Sequence, residues 1–568
     1  MISVMFDMPA IGILDAKPHT AVYMMHKYFA RRPWNIFSEL VSHYSSPGEL
    51  ILDPFSGGGV TIIEALRLRR KAIGIDVNPL AIFITEMETQ PFKVERFKQA
   101  VGKIGAIKPV VLSFYTTRCP NCGANAYADW IEWDEAHHKM ARLKFDCAKC
   151  GGNGIKSASR NDHELARKID QEFDTSVEQG TLWFPQTTIP AGDKTNSLIG
   201  SGITRFSQLF TKRNLLSLGI ILKEISRIAP PERDLLRFTL SSCLKWASRM
   251  SHLRGKIVEG WALHAYWIYP KSLEINVWNT LERRVRAVIR GKLYSNREIG
   301  DFCKFGRNFS DLERDRSCLL LNQSAASLPF PDNSIDAIIT DPPYGGNVNY
   351  GELSDFWWIW LARGKTIEKM HEAVVNRTQQ KMLHDYEMIL ARVFSECFRV
   401  LKPKRYFVST FNSKDARVVS GFLGAVSNAG FRIIRGGVQY QKPIKAYATT
   451  FHAMQVGAFV GDFIFVFTKP DRPTLNAGGI PDLDSFKREL NQLISEEVAS
   501  RVTESELRER AYQVLIPFIV RHSLTSPDVC SSAADFFEAR MRGQSTHFRN
   551  LRQTIIESRR RTFSSARP

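Results

Sequence analysis

The strongest constraint on the fold is a run in which a strand, a glycine-rich turn, a helix and a second strand follow directly. Leu50-Ile51-Leu52 predicts a short buried strand, Asp53-Pro-Phe-Ser-Gly-Gly-Gly59 forms the turn, and the apolar spacing over 62–66 predicts the helix. The next strand, Ala72-Ile73-Gly74-Ile75, ends in Asp76. A glycine turn lets a ligand approach N–H groups at a helix start, and an acid ending the second strand is placed to hold a ribose diol. The run predicts an α/β domain that binds a nucleotide-like ligand.

The α/β pattern stops near residue 90 and resumes near residue 316. The later segments predict strands at 319–321, 335–340, 406–410, 431–434 and 463–468, and helices at 383–400 and 421–429. The length of 568 residues suggests roughly three or four domains. The glycine spacing is not the G-x-G-x-x-G pattern of dinucleotide-binding folds, which argues against NAD as the ligand.

The predicted strand 335–340 runs directly into Asp341-Pro342-Pro343-Tyr344. Two prolines make this corner stiff and leave its carbonyl groups free to accept hydrogen bonds. Asp341 adds a carboxylate acceptor, and Tyr344 adds a flat aromatic face with a polar tip. Acceptors beside an aromatic platform suit an exocyclic amino group on a planar base. A simple Pro-Pro turn capped by Asp341 is the alternative interpretation of these four residues.

Four of the nine cysteines form two Cys-x-x-Cys pairs, Cys119/Cys122 and Cys147/Cys150. Two such pairs can supply four thiolates to a tetrahedral zinc ion with no open coordination position, which predicts a structural zinc site rather than a catalytic one. Four buried thiols are the alternative. His137 and His138 lie between the pairs and are expected to be surface residues.

The net charge of +19 is unevenly distributed along the chain. Residues 201–310 contain 20 Lys and Arg against 8 Asp and Glu, and residues 540–568 contain eight Arg and one Glu. A cluster of arginines on one predicted helix comprises Arg283, Arg284, Arg286 and Arg290. Such an excess favours a polyanionic partner, because neutralised phosphates release counterions. A solvated helix face explains any single one of these charges equally well.

Membrane and secretory segments are not expected. No run of eighteen apolar residues occurs, and the first seven residues lack a basic region followed by an apolar stretch. These features predict a soluble, cytoplasmic protein with no membrane partner.

Taken together, these motifs resemble the S-adenosylmethionine-dependent amino-methyltransferases of DNA, and among them the adenine-specific DNA methylases that carry a zinc ribbon. The resemblance covers most of residues 17–470. It rests on the motifs already quoted and on Leu209-Phe-Thr-Lys-Arg-Asn214, Asn276-Val-Trp278, Asn347-Val-Asn-Tyr350 and Glu352-Leu-Ser-Asp-Phe356. It implies a Rossmann-like methyltransferase sheet that is interrupted by a long insertion.

The implied domains are a cofactor-binding half at 1–90, an insertion at 91–315, a catalytic half at 316–470 and a helical C-terminal appendage at 471–568. The insertion would hold the zinc ribbon, at about 115–155, and a basic target-recognition region. The resemblance places the methionine part of the cofactor on the glycine turn and its ribose on the acid after the second strand. The cofactor-binding residues it implies are Tyr28, Arg31, Asp53, Phe55, Gly57, Gly59 and Asp76.

The resemblance implies that Asp341, Pro342, Pro343 and Tyr344 form the catalytic corner. The expected activity is methyl transfer from S-adenosylmethionine to the N6 amino group of adenine in DNA, after the base has flipped out of the duplex. Asp rather than Ser before the prolines favours adenine by family habit. Cytosine N4 or an RNA base is the nearest alternative. The RNA base is considered because Gly345 follows the corner, as it often does in RNA guanine-N2 methyltransferases. A non-catalytic DNA-binding protein is a third hypothesis.

Three further points concern the cofactor's adenine, the partners and the mechanism. The family usually has an acid near Asn322-Gln323-Ser324-Ala325 that contacts the cofactor's adenine, and this chain has none there. A restriction or defence-system protein would be a partner besides DNA. No cysteine lies next to the corner in the sequence, which argues against a thiolate mechanism of cytosine-C5 methylation.

Overall fold

The computed structural model describes residues 14–441, 462–471, 482–499, 502, 504–522 and 526–544. The N-terminal residues on which the signal-peptide prediction rests lie outside these ranges, as does nearly all of the arginine-rich tail. None of the described helices is both long enough and apolar enough to cross a membrane.

The described strands are listed in chain order. They are β1 Leu50–Asp53, β2 Lys71–Asp76, β3 Thr116–Arg118, β4 Asn125–Asp134, β5 Lys139–Asp146, β6 Asn153–Ser157, β7 His252–Arg254, β8 Ile257–Glu259, β9 Lys271–Ile275, β10 Cys318–Asn322, β11 Ile335–Thr340, β12 Leu401–Phe411, β13 Arg432–Gln441 and β14 Asp462–Thr468.

The helices follow the same order. They are α1 Trp34–Tyr44, α2 Val60–Arg67, α3 Pro79–Thr89, α4 Val94–Ile104, α5 Lys108–Ser113, α6 Arg160–Glu178, α7 Asn196–Gly200, α8 Lys212–Ser226, α9 Glu232–Ala247, α10 Val277–Glu298, α11 Phe309–Glu313, α12 Tyr350–Leu361, α13 Leu383–Val400, α14 Ala416–Asn428, α15 Leu483–Ala499, α16 Glu504–His522 and α17 527–544.

The main sheet has the strand order β10-β2-β1-β11-β12-β14-β13 within the described residues. The first five strands are parallel, and β14 is antiparallel to both of its neighbours. β1 and β11 are completely buried, which explains why both appear in the sequence as continuous apolar runs. The strand order reverses between these two strands, and ligands of open α/β sheets bind at such a switch point. The predicted Rossmann-like α/β fold is confirmed.

A second sheet lies between β2 and β10 in the sequence, within residues 91–315. β4 pairs with β5, β5 pairs with β6, and the opposite edge of β4 pairs with both β3 and β9. β9 belongs to a part of the chain far from the other four strands, and α6 to α9 lie between β6 and β9 in the sequence. Helices α4, α8, α9 and α10 pack in the same hydrophobic cluster.

The C-terminal helices pack against the main domain rather than standing apart from it. Apolar residues of α15, α16 and α17 share one hydrophobic cluster with α13, α14 and β14. The Tyr512 hydroxyl donates to the Ser413 carbonyl oxygen at 2.9 Å, and the Ala416 N–H donates to the Glu538 carboxylate at 2.8 Å. These helices therefore pack against α14 and the segment that precedes it.

Candidate active site

A cleft with an empty volume of about 870 Å³, including its open mouth, lies at the carboxyl ends of β1, β2 and β11. Its lining brings together most of the residues that the sequence predicted for cofactor and catalysis, which are Tyr28, Arg31, Asp53, Phe55, Gly57, Asp76, Asp341 and Pro343. Gly59, Pro342 and Tyr344 lie next to this lining in the chain.

The glycine turn after β1 takes a path that only small residues allow. Gly57 and Gly59 have φ angles of +47° and +73°, in the left-handed region. A Cβ on Gly59 would lie 2.5 Å from the Thr85 hydroxyl, and one on Gly58 would lie 2.7 Å from Arg31 Nε. The turn is thus packed tightly against α3 on one side and Arg31 on the other, with α2 starting at Val60.

Asp76 closes the other side of the turn. Its carboxylate accepts the Gly57 N–H at 2.8 Å and the Asn78 N–H at 2.8 Å, so it fixes both the turn and the start of α3. Burial raises the pKa of the Asp76 carboxyl to about 6, although these two N–H groups oppose the rise. Each carboxylate oxygen can accept a further hydrogen bond.

Arg31 and Ser56 present unsatisfied polar atoms at this place. Arg31 makes an ion pair with Glu88 at 3.1 Å and donates to the Tyr23 carbonyl at 2.7 Å. Its Nε, like the Ser56 hydroxyl, is buried and has no hydrogen-bond partner within the described residues. Orphaned buried donors are costly, so both atoms indicate a ligand that accepts their hydrogen bonds. The carboxylate of a bound amino acid group fits this pair of donors.

Asp53 has a supporting position. Its side chain is almost fully buried and accepts the Thr340 hydroxyl at 2.6 Å and the Phe55 N–H at 3.1 Å. Burial raises the pKa of its carboxyl to about 7. Asp53 thereby ties the end of β1 to the end of β11, and so holds the glycine turn beside the Asp341 corner.

The corner after β11 is a dense hydrogen-bond network. Asp341 accepts the Thr410 hydroxyl at 2.5 Å and the Arg32 Nε at 2.6 Å, and it also accepts the Tyr344 hydroxyl. The Pro343 carbonyl accepts the Tyr386 hydroxyl at 2.8 Å. The Pro342 carbonyl receives no donor from the residues that the structure describes. One backbone acceptor beside Asp341 is therefore free.

Arg32 and Asp462 belong to this corner and were not predicted as site residues. The Arg32 guanidinium bridges Asp341 and Asp462, with the Asp462 contact at 2.9 Å, and lies 4.8 Å above the centre of the Tyr344 ring. Burial raises the pKa of the Asp462 carboxyl, Asp341 adds to the rise, and Arg32 opposes it. The Arg31-Arg32 pair was visible in the sequence, but its second member gave no indication that it contacts the corner.

Tyr344 is half-buried, and its ring packs at 61° against Phe411, with 4.8 Å between centroids. Tyr28 stacks on Tyr350 at 5.8 Å and 14°, which forms a second aromatic pair between the glycine turn and the corner. Aromatic faces therefore flank the path from Asp76 to Asp341 on two sides.

The segment expected to contact the cofactor's adenine also lines the cleft. Gln323, Ser324 and Ala325 contribute to the wall, and the Asn322 amide donates to the Asp76 carbonyl at 2.9 Å. An acid that sequence analysis missed reaches the cleft from a different loop. Glu372 is buried and accepts the Gly351 N–H at 2.9 Å, and burial raises its carboxyl pKa to about 7.

The four predicted metal ligands meet at the ends of β3 to β6. The sulfur atoms of Cys119 and Cys150 are 3.6 Å apart, those of Cys122 and Cys147 are 3.7 Å apart, and all four lie within 4.8 Å of one another. Zinc–sulfur bonds of about 2.3 Å in a tetrahedron place the sulfurs about 3.8 Å apart, which matches these distances. His137 and His138 are exposed and are not part of the cluster.

The predicted basic cluster lies on α10. Arg283, Arg286 and Arg290 are exposed, whereas Arg284 turns inward and donates to the Ser242 hydroxyl at 2.9 Å. Three of the four arginines are therefore exposed, and among them Arg283 also lies 3.5 Å from Asp129.

Residues 6–86 match the family model described as DNA methylase. This match covers β1, the glycine turn and β2. The resemblance to DNA amino-methyltransferases is confirmed.

Two curated methyltransferases are similar to the chain in sequence. The type II methyltransferase M.MvaI of Kocuria varians is 21% identical over 362 residues, which is 62% of this chain and 60% of that protein. The type II methyltransferase M.MjaII of Methanocaldococcus jannaschii is 26% identical over 91 residues, which is 16% of this chain and 17% of that protein. The chain thus spans less than two thirds of the length of either relative.

Among solved structures, the chain is similar to an S-adenosylmethionine-dependent methyltransferase from Methanosarcina mazei. The match has 11% identity and a TM-score of 0.16, and it covers 31% of this chain and 78% of that one.

Proposed function

We propose that this protein transfers a methyl group from S-adenosylmethionine to the N6 amino group of adenine in DNA. The proposal rests mainly on the fact that the glycine turn and the Asp341 corner lie side by side at the carboxyl ends of the central strands. The glycine turn and Asp76 line one wall of the cleft, and the Asp341 corner lines the other. A nucleotide-like cofactor and a planar base would therefore meet between β1 and β11.

The cleft fits the cofactor in its chemistry. Asp76 would hold the ribose hydroxyls, and Arg31 Nε with the Ser56 hydroxyl would hold the methionine carboxylate. The bound cofactor would supply an electrophilic methyl group on a sulfonium. Tyr28 lies over the glycine turn, with its ring 3.3 Å from the position that a Gly57 Cβ would take, and it would exclude water from this end of the cleft.

The corner would act on the target's amino group. The lone pair of that nitrogen is delocalised into the base, which makes it a poor nucleophile. Asp341 and the free Pro342 carbonyl would accept hydrogen bonds from its two N–H groups and favour a pyramidal nitrogen whose lone pair points towards the methyl group. This is positioning with electrostatic stabilisation and needs no covalent intermediate. Tyr344 would stack on the flipped base.

Arg32 must move when a base enters. Its guanidinium donates to Asp341 and covers the Tyr344 ring, which are the two contacts proposed for the base. Asp462 also binds Arg32, so the side chain can keep one ionic partner while it leaves Asp341. Arg32 thus stabilises Asp341 in the absence of a base.

Cytosine N4 is the alternative target, because its amino group presents the same two protons to Asp341 and Pro342. Methyl transfer from tritiated S-adenosylmethionine to unmethylated DNA and to RNA, with one enzyme preparation, tests the proposal. We expect incorporation into DNA. Incorporation into RNA alone would contradict the DNA assignment, and binding of DNA with no affinity for the cofactor by calorimetry would identify a non-catalytic DNA-binding protein.

Replacing Asp76 by alanine should weaken S-adenosylmethionine binding by roughly 1.5–3 kcal/mol, because a charge-assisted hydrogen bond is lost. Because burial raises the Asp76 pKa to about 6, the carboxylate becomes protonated as the pH falls through that value. Wild-type affinity should therefore decrease between pH 7 and pH 5. Calorimetry of Asp76→Asn over the same range is the control. Its affinity should be low and should change less with pH than that of the wild type, because Asp53 and Glu372, which also line the cleft, titrate in this range in both proteins. Wild-type affinity in either variant would show that the ribose lies elsewhere.

Charge reversal of Arg283, Arg286 and Arg290 should weaken DNA binding for all sequences and flatten its salt dependence. These exposed arginines are proposed to contact phosphates, which position the protein and carry no sequence information directly. Fluorescence anisotropy at several salt concentrations measures both effects. A salt slope equal to that of the wild type would mean that this face of α10 is only solvated.

We further propose that Cys119, Cys122, Cys147 and Cys150 hold one structural zinc ion, which would fix the second sheet. In this proposal residues 91–315 form the target-recognition region between the two halves, 1–90 and 316–470, of the methyltransferase domain. A restriction or defence-system partner stays a prediction.

A further inference from the structure

Three cations from separate parts of the chain converge at the boundary between the main sheet and the insertion. The Ser241 hydroxyl on α9 bonds His26 Nε2 at 3.0 Å, and Lys27 follows His26 directly. Lys245 lies one helical turn after Ser241, on the same face of α9. The adjacent Ser242 hydroxyl accepts Arg284 Nε at 2.9 Å. The charges of Lys27 and Arg284 also act on Lys245. We treat these three residues as one group, which we call the cation cluster.

The cation cluster has no acidic partner to balance it. The ammonium group of neither lysine makes a hydrogen bond or an ion pair with the described part of the chain. Arg284 donates only to Ser242 and to the carbonyl groups of residues 24 and 25. The acid that acts on Lys245 is Glu259, which lies 3.7 Å from His252 and 3.4 Å from Arg254. The positive charge is thus left over after the internal pairs are made.

The surroundings make this charge costly in the free protein. Both lysines are half-buried. Burial, with Lys27 and Arg284 adding repulsion, lowers the pKa of Lys245 to about 7, and burial with Arg31 lowers that of Lys27 to about 8. Unpaired cations that are partly removed from water are stabilised when an anion binds between them.

Aromatic rings hold both ammonium groups in place. Lys27 Nζ lies 5.0 Å from the centre of the Phe29 ring, and Lys245 Nζ lies 4.5 Å from that of Trp246. Neither Nζ is among the buried atoms that lack a partner, so neither is fully buried. His264 packs against Phe29 at 5.4 Å, and Trp267 on the same loop is 46% exposed. The cluster therefore lies beside an exposed aromatic loop.

The location of the cluster indicates its ligand. Lys27 is on the segment that supplies Tyr28 and Arg31 to the cleft and Arg32 to the Asp341 corner, whereas Lys245 and Arg284 belong to the insertion. A DNA strand that places a base in the cleft and also contacts the insertion would pass between these residues. We propose that Lys27, Lys245 and Arg284 bind one backbone phosphate of the DNA strand that carries the target base. This inference rests on the proposed DNA substrate.

The test is the salt dependence of duplex DNA binding, measured by fluorescence anisotropy for the wild type and for the double variant Lys27→Gln/Lys245→Gln. Each phosphate contact contributes about 0.9 to the slope of log affinity against log salt. We expect the double variant to lose about one unit of slope, and Lys27→Arg/Lys245→Arg to retain it. Lys223→Gln, at an exposed lysine of α8, is the matched control and should keep the wild-type slope. An unchanged slope in the double variant would overturn the proposal.

Thermal unfolding separates a binding role from a structural one. Because the glutamines remove mutual repulsion, the double variant should melt no lower than the wild type, and a lower melting temperature with an unchanged slope would assign the lysines to folding. Inorganic phosphate is the second arm. If it raises the melting temperature of the wild type more than that of the double variant while the DNA slopes of both proteins agree, the cluster binds a free phosphate group and the DNA assignment is wrong.

Measuring methyl transfer alongside the salt slope separates failure of the phosphate site from failure of the proposed activity. Wild-type methyl transfer to DNA with no slope difference would overturn the phosphate site alone. A slope difference in a protein that transfers no methyl group to DNA would leave the phosphate site and overturn the proposed activity.

Discussion

Replacing Asp341 by alanine should lower the rate of methyl transfer to DNA by about 10²–10³-fold, the usual effect of losing one preorganised transition-state contact. Affinity for S-adenosylmethionine should stay close to wild type, because the cofactor contacts are assigned to Asp76, Arg31 and the glycine turn. Turnover at saturating cofactor and calorimetry of the same preparation measure the two quantities. Asp341→Asn is the sharper variant, since it keeps the shape and one acceptor oxygen but loses the charge.

The matched control is Asp336→Asn, at the other end of β11. Asp336 accepts the Leu50 N–H at 2.9 Å and pairs with Lys402, so its loss should lower stability and leave turnover unchanged. Tyr344→Ala should weaken capture of the flipped base by roughly 1–3 kcal/mol, which is the usual loss when an aromatic side chain that stacks on a single-stranded base is removed. Near wild-type turnover in Asp341→Ala would mean that the corner is only a turn.

Replacing Cys147 by serine should abolish zinc binding and lower both stability and solubility. Metal analysis of the wild type should give about one zinc per chain, since structural zinc sites contribute on the order of 10–16 kcal/mol of apparent binding free energy in isolated fingers. Cys147 is fully buried at the start of one of the two turns that supply the four thiolates. The effect should appear in folding yield rather than in the chemistry of the protein that does fold.

Cys243→Ser is the matched control for the zinc site. Cys243 is also fully buried but lies on α9, outside the four-cysteine cluster, so this variant should retain its zinc. Freshly purified, reduced wild-type protein without zinc would contradict the assignment, and so would a Cys147→Ser variant that keeps a full equivalent of the metal.

The central strands could be predicted because parallel strands buried on both faces are continuous apolar runs. β1, β2, β10 and β11 lie where the sequence placed them, and α13 has the predicted bounds, 383–400. Prediction was less accurate where glycine or proline lies inside a strand. β12 begins at Leu401 rather than at 406, although Pro403 interrupts it, and β13 continues past Gly436-Gly437 through a shift in register. Such residues normally indicate a turn.

The site residues that sequence analysis missed are those whose contacts are far apart in the chain. Arg32 meets Asp341 and Asp462, which lie 309 and 430 positions away, and no local pattern records such a contact. Arg284 was grouped with its exposed neighbours, but its position on α10 points it towards Ser242 instead. Motif spacing predicts which residues share a turn, whereas only tertiary packing shows which of them share a network.

Identifying the methylated nucleoside is the most direct test of the proposed adenine methylation. DNA from a host that lacks other methyltransferases would be incubated with the protein and S-adenosylmethionine, digested, and analysed by mass spectrometry. We expect the wild type to produce N6-methyldeoxyadenosine and the Asp341→Ala protein to produce little of it. N4-methyldeoxycytidine would keep the mechanism and contradict adenine as the target, and the absence of any methylated nucleoside would contradict the proposed activity.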